Sequence, residues 1–131
     1  MKQVLLAGLL VAVCAGCFSS SYTVRMESEP VRIVRDIGPK AMRDAIVKGG
    51  ENREWTVVSE KPGVVTLALF VRGGKHQLTV DVSYTGDSFA VTYRDSVGME
   101  YKPKTGEIRS KYVNWVRNLK QDIRLAASKV R

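Results

Sequence analysis

Between Val64 and Tyr93 apolar and polar residues alternate with a period of two, interrupted by two short glycine-containing turns. Val65, Leu67, Leu69 and Val71 share one side of a strand, and Thr66, Ala68, Phe70 and Arg72 share the other. Gly73-Gly74 suits a two-residue hairpin loop, which sets Arg72 opposite Lys75. Leu69 then meets Leu78, Leu67 meets Val80 and Val65 meets Val82. In the second strand His76, Leu78, Val80, Val82 and Tyr84 point inward, and Gln77, Thr79, Asp81 and Ser83 point outward. A turn at Gly86-Asp87 continues the meander, pairing Tyr84 with Phe89, Val82 with Val91 and Val80 with Tyr93. A slip of one residue would bury Asp81 and expose Leu78, so the apolar pattern itself selects this register.

The flanking segments supply weaker patterns. Val31 to Arg35 alternates briefly, as a short edge strand does. Gly38-Pro39 opens a helix with proline in its first turn and an apolar stripe of Ala41, Met42, Ala45 and Ile46, and Gly49-Gly50 is expected to end it. Trp55 to Glu60 reads as a strand that turns at Pro62-Gly63. That turn permits two registers, one with Trp55 in the core and one with it beside Phe70 on the outer face; the core register is expected. Arg94-Asp95-Ser96 breaks the alternation, and Val97 to Tyr101 is expected as a short fifth strand after a bulge. Lys102 to Gly106 is a turn. Beyond it Ile108, Tyr112, Trp115, Val116, Leu119, Ile123 and Ala126 recur at helical spacing. The expected fold is α+β: a two-layer sandwich in which an antiparallel meander of four to five strands carries an N-terminal helix and a longer C-terminal helix on one face. Residues 31–131 form that single domain.

The first residues depart from this globular pattern. Met1-Lys2-Gln3 is a short positive start, and the 13 residues from Val4 to Gly16 are apolar or small. A membrane-spanning helix needs roughly 20 apolar residues, so the run reads as a signal-peptide core over residues 1–16. It closes with Ala15-Gly16-Cys17, which resembles the lipobox of bacterial lipoproteins, where small residues precede a cysteine that is lipidated and becomes the first residue of the mature chain. The position three before the cysteine, usually Leu in that family, is Cys14. The resemblance implies lipidation of Cys17 and an anchor of several acyl chains in the membrane. It also implies the outer membrane, with the domain facing the periplasm, because Phe18 stands where an inner-membrane retention Asp would. Residues 17–30, with Ser19-Ser20-Ser21 and no clear period, read as the lipidated cysteine and a tether whose 13 residues after Cys17 reach about 45 Å when stretched. Cys14 and Cys17 are the only cysteines, so no disulfide staples the domain.

Charge narrows the partners. The chain carries a formal +8, and removal of residues 1–16 takes only Lys2 from it. Most of the excess lies beyond Glu107, and on a helical wheel Arg117, Lys120, Arg124 and Arg131 fall together away from the apolar stripe. Such a face suits anionic lipid head groups, acidic wall components or an acidic protein. It equally suits a solvated helix whose cations sit toward the negative end of the helix dipole. Nucleic acid is excluded by the implied address and by the lack of a binding motif.

Candidate chemistry is sparse. Asp81 shares the outer sheet face with Thr66 and Thr92, and Gln77, Thr79 and Arg94 lie nearby; Phe70 is the one large apolar group there. His76 has no spaced partner for a metal site. Gly73-Gly74-Lys75 joins two strands and lacks the spacing and helix of a phosphate loop. No catalytic constellation and no cofactor motif is found. The order of elements, through Trp55, the Tyr93 to Ser96 run and Tyr112 to Trp115, is similar to small envelope lipoproteins of Gram-negative bacteria, a likeness that brings no activity with it. The expectation is a non-enzymatic binding or structural module, anchored through Cys17, that meets an envelope protein, an anionic head group or the cell wall through Arg117, Lys120, Arg124 and Arg131 or through Phe70, Asp81 and Arg94. The alternative is a small-ligand carrier or enzyme with a pocket between sheet and helices, using Asp81, Asp95 or His76.

Overall fold

The computed structural model describes residues 22–131. The expected signal peptide, Cys17 and the start of the tether lie outside the described residues. The chain is α+β with an antiparallel meander sheet. In chain order it forms β1 (Thr23–Arg25), β2 (Val31–Arg32), α1 (Pro39–Asn52), β3 (Thr56–Lys61), β4 (Val64–Val71), β5 (His76–Tyr84), β6 (Ser88–Val97), β7 (Glu107–Arg109) and α2 (Ser110–Ser128). The main sheet has five strands in the order β2-β6-β5-β4-β3, and β1 pairs with β7 in a separate ribbon.

The meander has the register that the alternation selects. Leu69 opposes Leu78, Leu67 opposes Val80 and Val65 opposes Val82 across β4 and β5. Val80 opposes Tyr93, Val82 opposes Val91 and Tyr84 opposes Phe89 across β5 and β6. The first turn takes positive φ at Gly73 (65°) and Gly74 (86°), but Arg72 is also left-handed (53°), so the ladder ends at Val71 and His76 and the expected Arg72–Lys75 pair lies in the turn outside it. Trp55 is buried, as expected, and a bulge at Val58 lets Val57 oppose Leu67 while Ser59 opposes Thr66.

Four expectations are corrected. The first helix does not end at Gly49-Gly50 but runs to Asn52, with both glycines buried inside it. A Cβ on Gly49 would lie 2.6 Å from the backbone nitrogen of Ile123 in α2, so this glycine exists for helix contact and not for termination. The chain turns out of the helix instead at Glu54, which takes a left-handed φ of 64° while the Trp55 amide returns to the Gly50 carbonyl at 2.9 Å. Second, Arg94 to Ser96 continue β6: Tyr93 opposes Val80 and Asp95 opposes Thr79, leaving Arg94 as the extra residue of a bulge. The separate strand expected over Val97 to Tyr101 is absent. Val97 ends β6, Gly98 turns the chain at φ 72°, and the fifth strand is β2 at the other edge.

Third, Ile108, expected on the last helix, is buried on β7, two residues before α2 begins. Fourth, residues 22–30, inside the stretch read as a patternless tether, are folded onto the domain. Thr23, Val24 and Arg25 pair with Arg109, Ile108 and Glu107.

One hydrophobic cluster unites these elements. Val65, Leu67, Leu69, Leu78, Val80, Val82, Phe89 and Val91 of the sheet share it with Met42 and Ile46 of α1 and with Tyr112, Val116, Leu119 and Ile123 of α2. Gly50 brings α1 close to the sheet, since a Cβ there would sit 3.2 Å from a Leu67 methyl. At the rim Arg43 donates to both Glu60 carboxylate oxygens, at 2.6 and 2.7 Å, tying α1 to β3. This pair holds the Glu60 carboxyl below the usual carboxylate range.

Candidate functional site

The basic face of the last helix is divided by the segment before α1. That segment runs along α2 as a strap. The Tyr22 carbonyl accepts the Ser110 amide at 3.0 Å at the start of the helix. Midway, Arg117 Nη2 donates to Glu27 Oε1 at 2.7 Å and Lys120 Nζ donates to the Glu27 carbonyl at 3.3 Å. Beyond the helix end, Arg35 donates to the Val130 carbonyl. Of the four expected binding residues, Arg117 and Lys120 are thus engaged within the chain. Burial pushes the Lys120 ammonium down in pKa and Glu27 partly pulls it back, so this charge is poorly placed for a surface partner.

The Arg117 hydrogen bond, with its positive charge, holds the Glu27 carboxyl below the usual carboxylate range. A lowered carboxylate pKa contributes its stabilisation above the ordinary carboxylate value and loses it as pH falls through the lowered one. The strap is therefore insensitive to protonation near neutral pH and loosens only in acid. Glu27→Gln removes the charge at all pH values. It is expected to speed tryptic cleavage after Arg25 severalfold at neutral pH while leaving the melting temperature nearly unchanged, because an exposed ion pair contributes little to global stability.

Arg124 and Arg131 have a different environment. They line an open groove of about 800 Å³ with Arg32, Ile33, Val34, Arg35, Ile37, Ala127, Ser128 and Val130. Its second wall is held by the sheet. Val31 and Arg32 pair with Phe89 and Ser88, the Ile33 amide donates to the Asp87 carbonyl at 2.8 Å, and the Ile37 amide donates to the Gly86 carbonyl at 2.9 Å. Gly86 is required here, since a Cβ would collide with the Asp36 carboxylate and lie 3.0 Å from Gly38 Cα. Sequence reasoning missed Arg32 and Arg35. Their spacing in Val31-Arg32-Ile33-Val34-Arg35 was visible, but their approach to α2 depends on pairing with β6, more than fifty residues away.

On the outer sheet face the expected neighbours do meet. Asp81 Oδ1 accepts the Thr66 hydroxyl at 2.6 Å, and Arg94 Nη1 lies 3.2 Å from both Asp81 oxygens. The Thr92 hydroxyl donates to the Asp81 backbone carbonyl at 3.3 Å. The bulge that frees Arg94 from the ladder is what lets it reach Asp81. The carboxylate is neutralised and hydrogen-bonded, so a role as base or ligand anchor would first require breaking this cluster. Phe70 lies two rows away, 52% exposed, with Gln77 between it and Val97, which is 50% exposed. His76 Nδ1 contacts the Gly98 carbonyl at 3.0 Å. Asp81, Asp95 and His76 do not line the arginine groove.

Among the described residues no group of three or more His, Cys, Asp or Glu side chains is placed to hold a metal ion. No helix among them is long and apolar enough to cross a membrane. No family model, curated protein or solved structure matches the chain.

Proposed function

We propose that this chain is a bacterial envelope lipoprotein: residues 1–16 are removed, Cys17 is acylated and holds the protein at the outer membrane, and the domain is a non-enzymatic binding module facing the periplasm. The observation that carries this reading is Ala15-Gly16-Cys17 closing a 13-residue apolar run behind Lys2. In this reading the domain is a two-layer sandwich with both helices on the inward face of the meander, supported by the single cluster joining sheet and helices and by the seating of Gly50 over Leu67. The outer face is left to Thr66, Asp81, Thr92 and Arg94.

The strap bears on how such a module would sit. Five residue steps separate Cys17 from Tyr22 and span at most about 18 Å. The β1–β7 ribbon and the start of α2 would therefore stay near the lipid surface. A 19-residue helix is about 28 Å long, so the arginine groove, at its other end, would project toward the periplasm. The binding surface in this reading is the groove end of α2, with Arg124 and Arg131, and not the whole basic face. In cells, a photo-crosslinking amino acid replacing Val34 is expected to trap an envelope component, and one replacing Lys61 is not. Equal capture at both positions, or capture at Lys61 alone, would count against the module working through this end.

A further inference from the structure

We infer that the groove between the 32–37 segment and the end of α2 is a binding site for a single-chain anionic phospholipid, with the phosphate among the arginines and the acyl chain along the apolar floor. Arg32, Arg35, Arg124 and Arg131 converge on it from two elements far apart in sequence, and no acidic side chain lines it. Among the described residues Arg32, Arg124 and Arg131 have no carboxylate within ion-pair distance, as is also true of Arg25 and Arg72 outside the groove, whereas Arg43, Arg53, Arg94, Arg109 and Arg117 are each paired. What sets the groove apart is that its unpaired arginines stand together. Gathering like charges without a counter-charge is unfavourable, and a bound anion relieves it. The helix dipole does not account for the gathering. Two of the four cations belong to another element, and the last turn of α2 carries no basic residue.

The identity of the cations and the floor specify the ligand. All four are arginine, although the chain uses lysine and arginine about equally. A guanidinium presents a planar fork that matches phosphate oxygens, which an ammonium does not. Ile33, Val34, Ile37, Ala127 and Val130 supply an apolar surface beside them. The volume of about 800 Å³ lies within the roughly 300–1,000 Å³ usual for small-molecule sites. Free phosphate would leave that floor unused, and an uncharged lipid would leave the guanidinium groups unmatched.

This inference deepens the proposed binding role but stands without the lipid anchor, because the test uses a chain that lacks Cys17. The full chain carrying Cys17→Ala is titrated calorimetrically with decanoyl lysophosphatidylglycerol below its micelle concentration. Parallel titrations use the lysophosphatidylcholine of the same chain length and glycerol phosphate. The glycerol head group is expected to bind at least tenfold more tightly than the choline one, with glycerol phosphate giving no measurable heat. Arg32→Gln with Arg131→Gln should weaken binding by about tenfold or more, which is about 1.4 kcal/mol or more, since both charge-assisted partners of the phosphate are removed. Val34→Asp, at a position too exposed to affect folding, should weaken it likewise, and Lys61→Gln, with the same loss of charge on β3, should not. Equal affinity for the two head groups, glycerol phosphate binding as tightly as the lipid, or indifference to the groove variants would each overturn the assignment.

Discussion

Gly49→Ala is expected to destabilise the protein by about 2 kcal/mol or more, in a helix where the same change would ordinarily help. Replacing glycine by alanine inside a helix gains about 0.5–1 kcal/mol of backbone entropy. Here the new Cβ would stand 2.6 Å from the Ile123 backbone nitrogen and 2.8 Å from its Cα. Neither atom belongs to a side chain that can rotate away, so α1 and α2 must separate, loosening the packing around Met42, Ile46, Leu119 and Ile123. Overpacking of this kind typically costs about 1–3 kcal/mol and occasionally more. Gly50→Ala is the internal control. Its Cβ would meet a Leu67 methyl at 3.2 Å, which can yield, so a result near neutral is expected. Urea midpoints at unchanged m-value measure both. A stabilised Gly49→Ala would mean that α1 and α2 do not meet closely at this glycine.

The second large effect is expected at Gly98, where β6 stops. Its φ of 72° lies in the left-handed region, which costs an L-residue about 1–2 kcal/mol. A Cβ would also approach the Lys75 carbonyl to 2.6 Å and His76 Nδ1 to 2.8 Å, across the very hydrogen bond that His76 makes to the Gly98 carbonyl. Gly98→Ala should therefore cost about 3 kcal/mol, a fall in melting temperature of roughly 10 °C for a domain of this size. An unchanged melting temperature would show that the chain can leave β6 by another route, and the tight turn after Val97 would lose its assigned role.

The contrast between Gly73 and Gly49 shows what the sequence carries and what it does not. Gly73-Gly74 sits between two alternating segments, so turn and strands specify one another locally and the pairs from Val65 to Tyr93 are legible down to single residues. Trp55 was less legible: the Pro62-Gly63 turn permits two registers, and its core position is reached just ahead of β3 with a bulge at Val58. Gly49-Gly50 has the local appearance of a helix stop. Its purpose lies in Ile123, more than seventy residues on, and nothing in the neighbouring residues reports that contact. The same holds for the strap: Thr23–Arg25 has too few residues to show a period, and its partner strand is Glu107–Arg109.

Candidate sites follow this division. The wheel placed Arg117, Lys120, Arg124 and Arg131 on one helix face, but α2 ends at Ser128, short of Arg131, and the strap decides which of the others meet solvent, with Glu27 engaging Arg117 and Lys120. The meeting of Asp81 with Thr66 came from strand register and was legible. The reach of Arg94 depends on the bulge, of which the broken alternation at Arg94-Asp95-Ser96 was the visible sign. The groove needed Arg32 and Arg35 beside α2, an arrangement made by tertiary contacts alone.

The proposed anchor rests on a contiguous signal, and one measurement tests it most directly: intact mass and membrane flotation of the full chain expressed in a Gram-negative bacterium, beside its Cys17→Ala variant. The account predicts that the wild type loses residues 1–16, gains the mass of acyl chains and floats with outer-membrane vesicles, while the variant gains no acyl mass and does not float with them. Wild type and variant alike in mass and in fractionation would contradict it.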